Sequence, residues 1–180
     1  MSEKGTLYFF TGLVGAGKTT LGGLFRQRLI AAGHNVVILD GDQMRTAFGH
    51  TGYSPEERIQ GAMERLLPLC RLLTDQSVDV VACSVCMYRV IRDWYRAHVE
   101  NYREIYVKAS WETLYRRDQK KLYSSGAKQM VGIDLPWDEP EHADIVIEND
   151  GRETPEEIVD RLERFFGIAG EAAEKAGSKI

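Results

Sequence analysis

Residues 12–20 read GLVGAGKTT, a glycine-rich run ending in a lysine and two threonines. Gly12-Leu13-Val14-Gly15-Ala16-Gly17-Lys18-Thr19 fits the pattern G-x-x-x-x-G-K-[ST], set between a strand-like and a helix-like segment. Gly12, Gly15 and Gly17 let the backbone curl until successive amides, that of Ala16 among them, point at phosphate oxygens. The helix starting at Lys18 adds its positive end. Lys18 is expected on the β- and γ-phosphates of a nucleoside triphosphate, the Thr19 hydroxyl on Mg²⁺, and Thr20 beside them. A plain glycine-rich turn with an exposed lysine leaves that strand-loop-helix context without a reason.

Asp40-Gly41-Asp42 closes the second strand-like run, the end where open α/β sheets collect ligands. An alcohol attacking a γ-phosphate must be aligned and must lose its proton, and a carboxylate at Asp42 does both through one hydrogen bond. Asp40 is expected to orient a metal-bound water or the acceptor. Away from the glycine loop the same residues read as a solvated turn. Arg45 and Arg58 leave that edge, and Arg89 and Arg92 follow the third strand-like run. Their guanidinium forks suit phosphate or sulfate oxygens. Arg116, Arg117, Lys120 and Lys121 make a basic stretch that can close over bound phosphates and exclude water.

The elements that must position these groups alternate. Strands are expected at 6–10, 35–39, 78–83, 104–109 and 143–148, and helices near 18–32, 55–75, 89–99, 111–117 and 154–166. Such alternation predicts a parallel sheet covered by helices on both faces, and the nearly continuous apolar strands fit double-sided burial. Ser54-Pro55-Glu56-Glu57 and Thr154-Pro155-Glu156-Glu157 each combine a capping hydroxyl, a first-turn proline and a glutamate three residues on. Pro68 lies inside the 55–75 helix, where it lacks a donor and crowds the Glu64 carbonyl, so a kink or break is expected there. The stretch 118–140 has the glycines and weak periodicity of a charged loop. The organisation expected is one domain over 1–166 with a lid near 115–132, then a flexible tail over 167–180.

At 180 residues and a net charge of −4, the chain has no global basic surface, which disfavours nucleic acid or an anionic membrane as partner. No apolar run approaches the roughly 20 residues of a membrane span. The opening MSEKGTLYFF lacks a signal-peptide layout, so a cytoplasmic location is expected. Cys83 and Cys86 form a C-x-x-C without the second ligand pair of a zinc site, and burial is the expectation for both.

Together FTGLVGAGKTT, LDGDQMR, GYSPEER, MYRVIRD, EIYVKASWETLYRRDQKKLY and GIDLPWDEP resemble the adenylylsulfate kinase family, in order and spacing, from about residue 6 to 165. The resemblance implies a P-loop kinase fold of five parallel strands with a lid, and usually a homodimer, with a sulfurylase as a further partner. It implies transfer from MgATP to the ribose 3′-hydroxyl of adenosine 5′-phosphosulfate. By the same resemblance Asp42 takes the place of the base, with Asp40 beside it, and Arg45 and Arg58 hold the acceptor's phosphosulfate. Tyr53 stands where an aromatic ring stacks on the acceptor base, and Arg89 stands where the family has the arginine of S-P-Y-R. Arg117 lies with the ATP-binding residues, while Lys120, Leu122 and Tyr123 match the lid's K-G-L-Y, with Lys121 in place of its glycine.

Departures gather on the acceptor side. Gly61, Met63 and Glu64 replace an asparagine and two arginines, Cys86 and Met87 replace serine and proline, and Met130 replaces an aromatic residue. Two other readings therefore stand beside the first. One is a related kinase for another capped nucleotide, such as cytidine diphosphoramidate, or for a small alcohol. The other is a nucleotide-binding regulatory module without transfer, against which Lys18, Thr19, Asp40 and Asp42 speak together.

Overall fold

The central run LYFFT has no polar break before Thr11, and it becomes β1 (Leu7–Thr11), buried at every position. Around it lie β2 (Val36–Asp40), β3 (Asp79–Ser84), β4 (Tyr102–Lys108) and β5 (Ile145–Glu148), in the order β2-β3-β1-β4-β5. All pairings are parallel. The computed structural model describes residues 3–49 and 52–168. The expected five-stranded parallel sheet with helices on both faces is the fold found.

Alternate β1 side chains enter opposite layers, as the pleat requires. Tyr8 and Phe10 pack with Phe25 and Leu29 of α1 (Lys18–Ala31) and with Ile158 and Leu162 of α7 (Pro155–Phe166). Leu7 and Phe9 pack with Leu67 and Cys70 of α4 (Leu67–Asp75) and with Ile91 and Tyr95 of α5 (Arg89–His98). Both helix starts marked by Ser-Pro-Glu-Glu and Thr-Pro-Glu-Glu carry complete capping boxes, at α3 (Pro55–Gly61) and α7. A further helix, α6 (Trp111–Arg117), ends where the basic loop begins. Its last carbonyls are followed by a tight turn at Gln119–Lys121.

Two segments differ from the sequence reading. The single helix expected over 55–75 is split by a π-helical turn at Ala62–Leu66, just ahead of Pro68. A wider turn moves carbonyls away from the proline ring and leaves none waiting for its missing N–H. Residues 41–47, given no element in the sequence reading, form α2 (Gly41–Ala47). Asp40 is its N-cap, accepting from the amides of Asp42 and Gln43 at 3.0 and 3.2 Å. Of the expected tail, Gly167 caps α7 in the left-handed region and Ile168 packs into the core, while 169–180 lie outside the described residues.

Gly22 sets the depth of α1. A Cβ there would stand 2.5 Å from Cys83 Sγ and 3.2 Å from Val81 Cγ1. Gly22→Ala should therefore destabilise the chain by about 1–3 kcal/mol through overpacking, although alanine is the better helix former. Urea unfolding of the two proteins side by side checks this, and an unchanged midpoint would contradict it.

Candidate active site

The loop between β1 and α1 is shaped by backbone only glycine tolerates. Gly12 has φ 147°, and a Cβ on it would lie 2.1 Å from the Val107 carbonyl oxygen. Gly17 has φ 104°, and a Cβ there would meet Asn149 Nδ2 at 2.4 Å. The carbonyls of the loop are tied down from behind. Tyr123 Oη donates to Val14 O at 2.6 Å, and Asn149 Nδ2 donates to Ala16 O at 2.7 Å. Arg117 Nη1 donates to Gly15 O and Ala16 O at 3.2 and 3.4 Å, while its Nη2 donates to Asn149 O at 2.8 Å. The Ala16 amide donates to Leu13 O at 3.2 Å within the loop, so Ala16 is buried behind it, while Val14, Gly15 and Gly17 line the cleft. Arg117 thus braces the loop from its outer side. Asn149, at the end of β5, gave no signal in the sequence because its partner is remote along the chain.

Lys18 opens α1 almost fully buried, its Nζ donating to Leu13 O at 2.8 Å. Burial lowers its pKa to about 8, against the opposing pull of Cys83, Asp40 and Asp42. Cys83 is itself pushed up to about 12 by burial, so near neutrality it is a thiol and the two carboxylates supply the field. Cys86 is likewise pushed up to about 12, and Cys70, Cys83 and Cys86 are all buried and free. Thiols held this far from ionisation are poor nucleophiles, in keeping with the burial expected of the C-x-x-C.

Next along α1, Thr19 Oγ1 donates to Asp40 Oδ2 at 2.7 Å. Asp40 therefore accepts from Thr19 on one carboxylate oxygen and from the head of α2 on the other. Two residues on, Asp42 is half exposed and pairs through Oδ2 with Lys120 Nζ at 2.6 Å. The hydrogen bond to Asp42 raises the Lys120 pKa. Gly15, Gly17, Lys18, Thr19, Thr20, Asp40, Asp42 and Lys120 thus share one cleft of about 660 Å³. Lys121 has φ 54° and Lys120 φ 60°, left-handed backbone that a glycine would adopt at no cost.

A second cavity of about 100 Å³ lies behind the first and shares Gly41, Arg45, Arg58 and Ser84 with it. Arg45 Cζ sits 4.2 Å from the Tyr53 ring centroid, and its Nη1 donates to Gly52 O at 2.7 Å. Arg58 Cζ is 5.3 Å from the same ring, with Nε donating to Tyr53 O. Burial first, then Arg45, lowers the Arg58 pKa. Arg89 is not brought to either cavity. It is exposed at the start of α5 and faces Asp93 and Glu141, because its amide is held by Asp138 on the outer side. Arg92 is buried on Glu104, Cys86 O and Asp138 O, so it holds the fold together. Among the departures, Gly61, Cys86 and Met87 line the small cavity and Met130 the large one, whereas Met63 and Glu64 face outward.

Among the described residues no cluster of three or more His, Cys, Asp or Glu could hold a metal ion, and no helix is long and apolar enough to cross a membrane. A parallel sheet in this order, with a glycine loop leading into α1 and paired carboxylates at the tip of β2, defines a P-loop phosphotransferase. The model of the adenylylsulphate kinase family matches residues 4–148, and the chain belongs to that family. Relatives include a cytidine diphosphoramidate kinase of Campylobacter jejuni, 36% identical over 90% of this chain and 96% of that one. An adenylyl-sulfate kinase of a Picosynechococcus species is 37% identical over 88% and 92%. Mycobacterium tuberculosis APS kinase, solved with AMPPNP and APS, shares the fold at a TM-score of 0.82 and 23% identity, covering 92% and 99% of the two chains. The chain is accordingly an ATP-using kinase of the adenylylsulfate kinase type.

The bracing of the loop makes a direct prediction. Asn149→Ala removes one buried-side hydrogen bond and should cost about 1 kcal/mol of unfolding free energy. It should also raise amide hydrogen exchange selectively at residues 15–18, and unaltered exchange there would show that Asn149 does not hold the loop.

Proposed function

We propose that this kinase transfers the γ-phosphate of ATP to the ribose 3′-hydroxyl of a nucleotide with a capped 5′-phosphate, adenosine 5′-phosphosulfate being the first acceptor. One observation carries the reading. The carboxylate of Asp42 stands on the first turn of α2, held through Oδ2 by Lys120, while its neighbour Asp40 accepts from Thr19, and both share one cleft with the Lys18 loop. Asp42 Oδ2 is engaged by Lys120, which leaves Oδ1 to accept the hydroxyl proton. As that proton moves to Asp42, the hydroxyl oxygen bonds to the γ-phosphorus, the β–γ bridging bond breaks, and ADP departs.

Lys18 and the amides of Gly15, Gly17, Thr19 and Thr20 take the triphosphate in this reading, and Asp40 acts by positioning Thr19. The Thr19 hydroxyl and the Asp40 carboxylate beside it offer oxygen donors, which suit a hard cation such as Mg²⁺, and the Thr19 hydroxyl would hold it. Bound there, the ion would offset negative charge on the phosphates. Lys120 closes the lid onto Asp42, and Arg45, Tyr53 and Arg58 form the wall met by the acceptor.

A second acceptor, cytidine diphosphoramidate, is supported by where the departures fall. Gly61, Cys86 and Met87 cluster on the small cavity, and the Campylobacter relative carries that activity in its name. A coupled assay for ADP release with both nucleotides separates the two, and turnover of the diphosphoramidate alone would displace the sulfated acceptor. In the same assay Asp42→Ala should lose roughly 10²–10⁴-fold in transfer rate while ATP affinity stays close to that of the parent. Full activity in the variant would remove Asp42 as the base.

Lys18 gives a pH prediction. Its ammonium is lost in the free protein as pH rises through about 8, whereas a bound triphosphate favours the charged form. ATP affinity should therefore be level below that pH and weaken by roughly tenfold per unit above it. Calorimetry on both sides of the transition tests this, and a flat profile would contradict it.

A further inference from the structure

The π-helical turn places a cation that the local sequence would not single out. Within Ala62–Leu66, Met63 and Glu64 face outward, and Glu64 is engaged by Gln60 at 3.0 Å. Arg65 is half-buried and lines the small cavity with Arg45 and Arg58. No side-chain hydrogen bond or ion pair joins Arg65 to any described residue, in contrast to Arg45, which donates to Gly52 O, and Arg58, which donates to Tyr53 O and Gln129 O. Glu57 also borders this cavity, but its carboxylate closes the capping box on the Ser54 amide.

Gly61 leaves the guanidinium its room. A Cβ at 61 would lie 3.4 Å from Arg65 Nη1, so any longer side chain leaving in that direction would meet it. Pro68 and the π turn ahead of it set the phase in which residue 65 faces the cavity. Much of the rest of the lining is apolar, with Phe9, Met44, Leu66, Met87 and Ile91 among it. In such surroundings a guanidinium interacts strongly with an anion. The space is far smaller than the main cleft, so it suits a charged tail and not a nucleoside.

We propose that Arg65, admitted by Gly61 and turned inward by the π turn, binds the anionic 5′ group of the acceptor nucleotide and sets acceptor specificity. The inference rests on the acceptor being a capped nucleotide. It relocates to residue 65 the positive charge that positions 63 and 64 do not supply.

Steady-state kinetics with adenosine 5′-phosphosulfate and with cytidine diphosphoramidate test it. Arg65→Met should raise the KM for whichever nucleotide the parent turns over by roughly ten- to hundredfold, with the KM for ATP unchanged. Arg65→Lys should recover part of the loss, because charge returns without the fork. Gly61→Asn should raise the same KM by displacing the guanidinium, and should add little in the presence of Arg65→Met. Glu64→Gln, one residue away and outward, should leave every constant as it was. An acceptor KM unchanged in Arg65→Met would overturn the role of Arg65 alone. A parent protein that turns over neither nucleotide would overturn the acceptor reading and this assignment with it.

Discussion

One carboxylate holds the cleft together. Asp40 takes the Thr19 hydroxyl on one oxygen and two backbone amides of α2 on the other. That single group joins the tip of β2, the first turn of α1 and the head of α2. A carboxylate at a helix N-terminus is favoured by the orphan amides and the local dipole, so the arrangement is stable before any ligand enters. Asp42 inherits its place from it: two residues past the cap, it sits on the first turn of a helix whose start is already fixed.

The glycine loop obeys the same logic from the other side. Its carbonyls are occupied by Tyr123, Asn149 and Arg117, which come from the basic loop, the end of β5 and α6. Each brace lies far along the chain from the loop it holds. The close contact of Gly22 with Cys83 seats α1 against β3 at the depth where these bonds can form. Preorganisation of this kind lets the loop meet a polyanion without rearranging its backbone.

Most of the architecture was legible in the sequence because parallel strands buried on both faces must be continuously apolar, and both capping boxes are written within four residues. The strand positions hold to within two residues at each end. What escaped was non-local or local in an ambiguous way. Asp-Gly-Asp reads as a ligand-facing strand tip or as a solvated turn, and neither reading shows that Asp40 caps α2 through the Asp42 and Gln43 amides. Pro68 announced a disruption, but the form it took, a widened turn, goes with α4 packing on β3 and β1 while α3 ahead of it stays at the surface. Arg89 carried the right chemistry at the right spacing and still faces away, since Asp138 holds its amide on the outer side. Its neighbour Arg92 was drawn inward by Glu104, a group nearly as buried as itself.

The two cavities have Gly41, Arg45, Gly52, Glu57, Arg58, Ser84 and Val85 in common, yet the glycine loop borders only the larger. Because no residue of the glycine loop also forms the wall of the smaller cavity, that wall is open to drift. Residues there can trade size, charge or polarity generation after generation while the glycine-loop half stays fixed. A lineage built on this plan is thereby equipped to take up new metabolites without reinventing its chemistry.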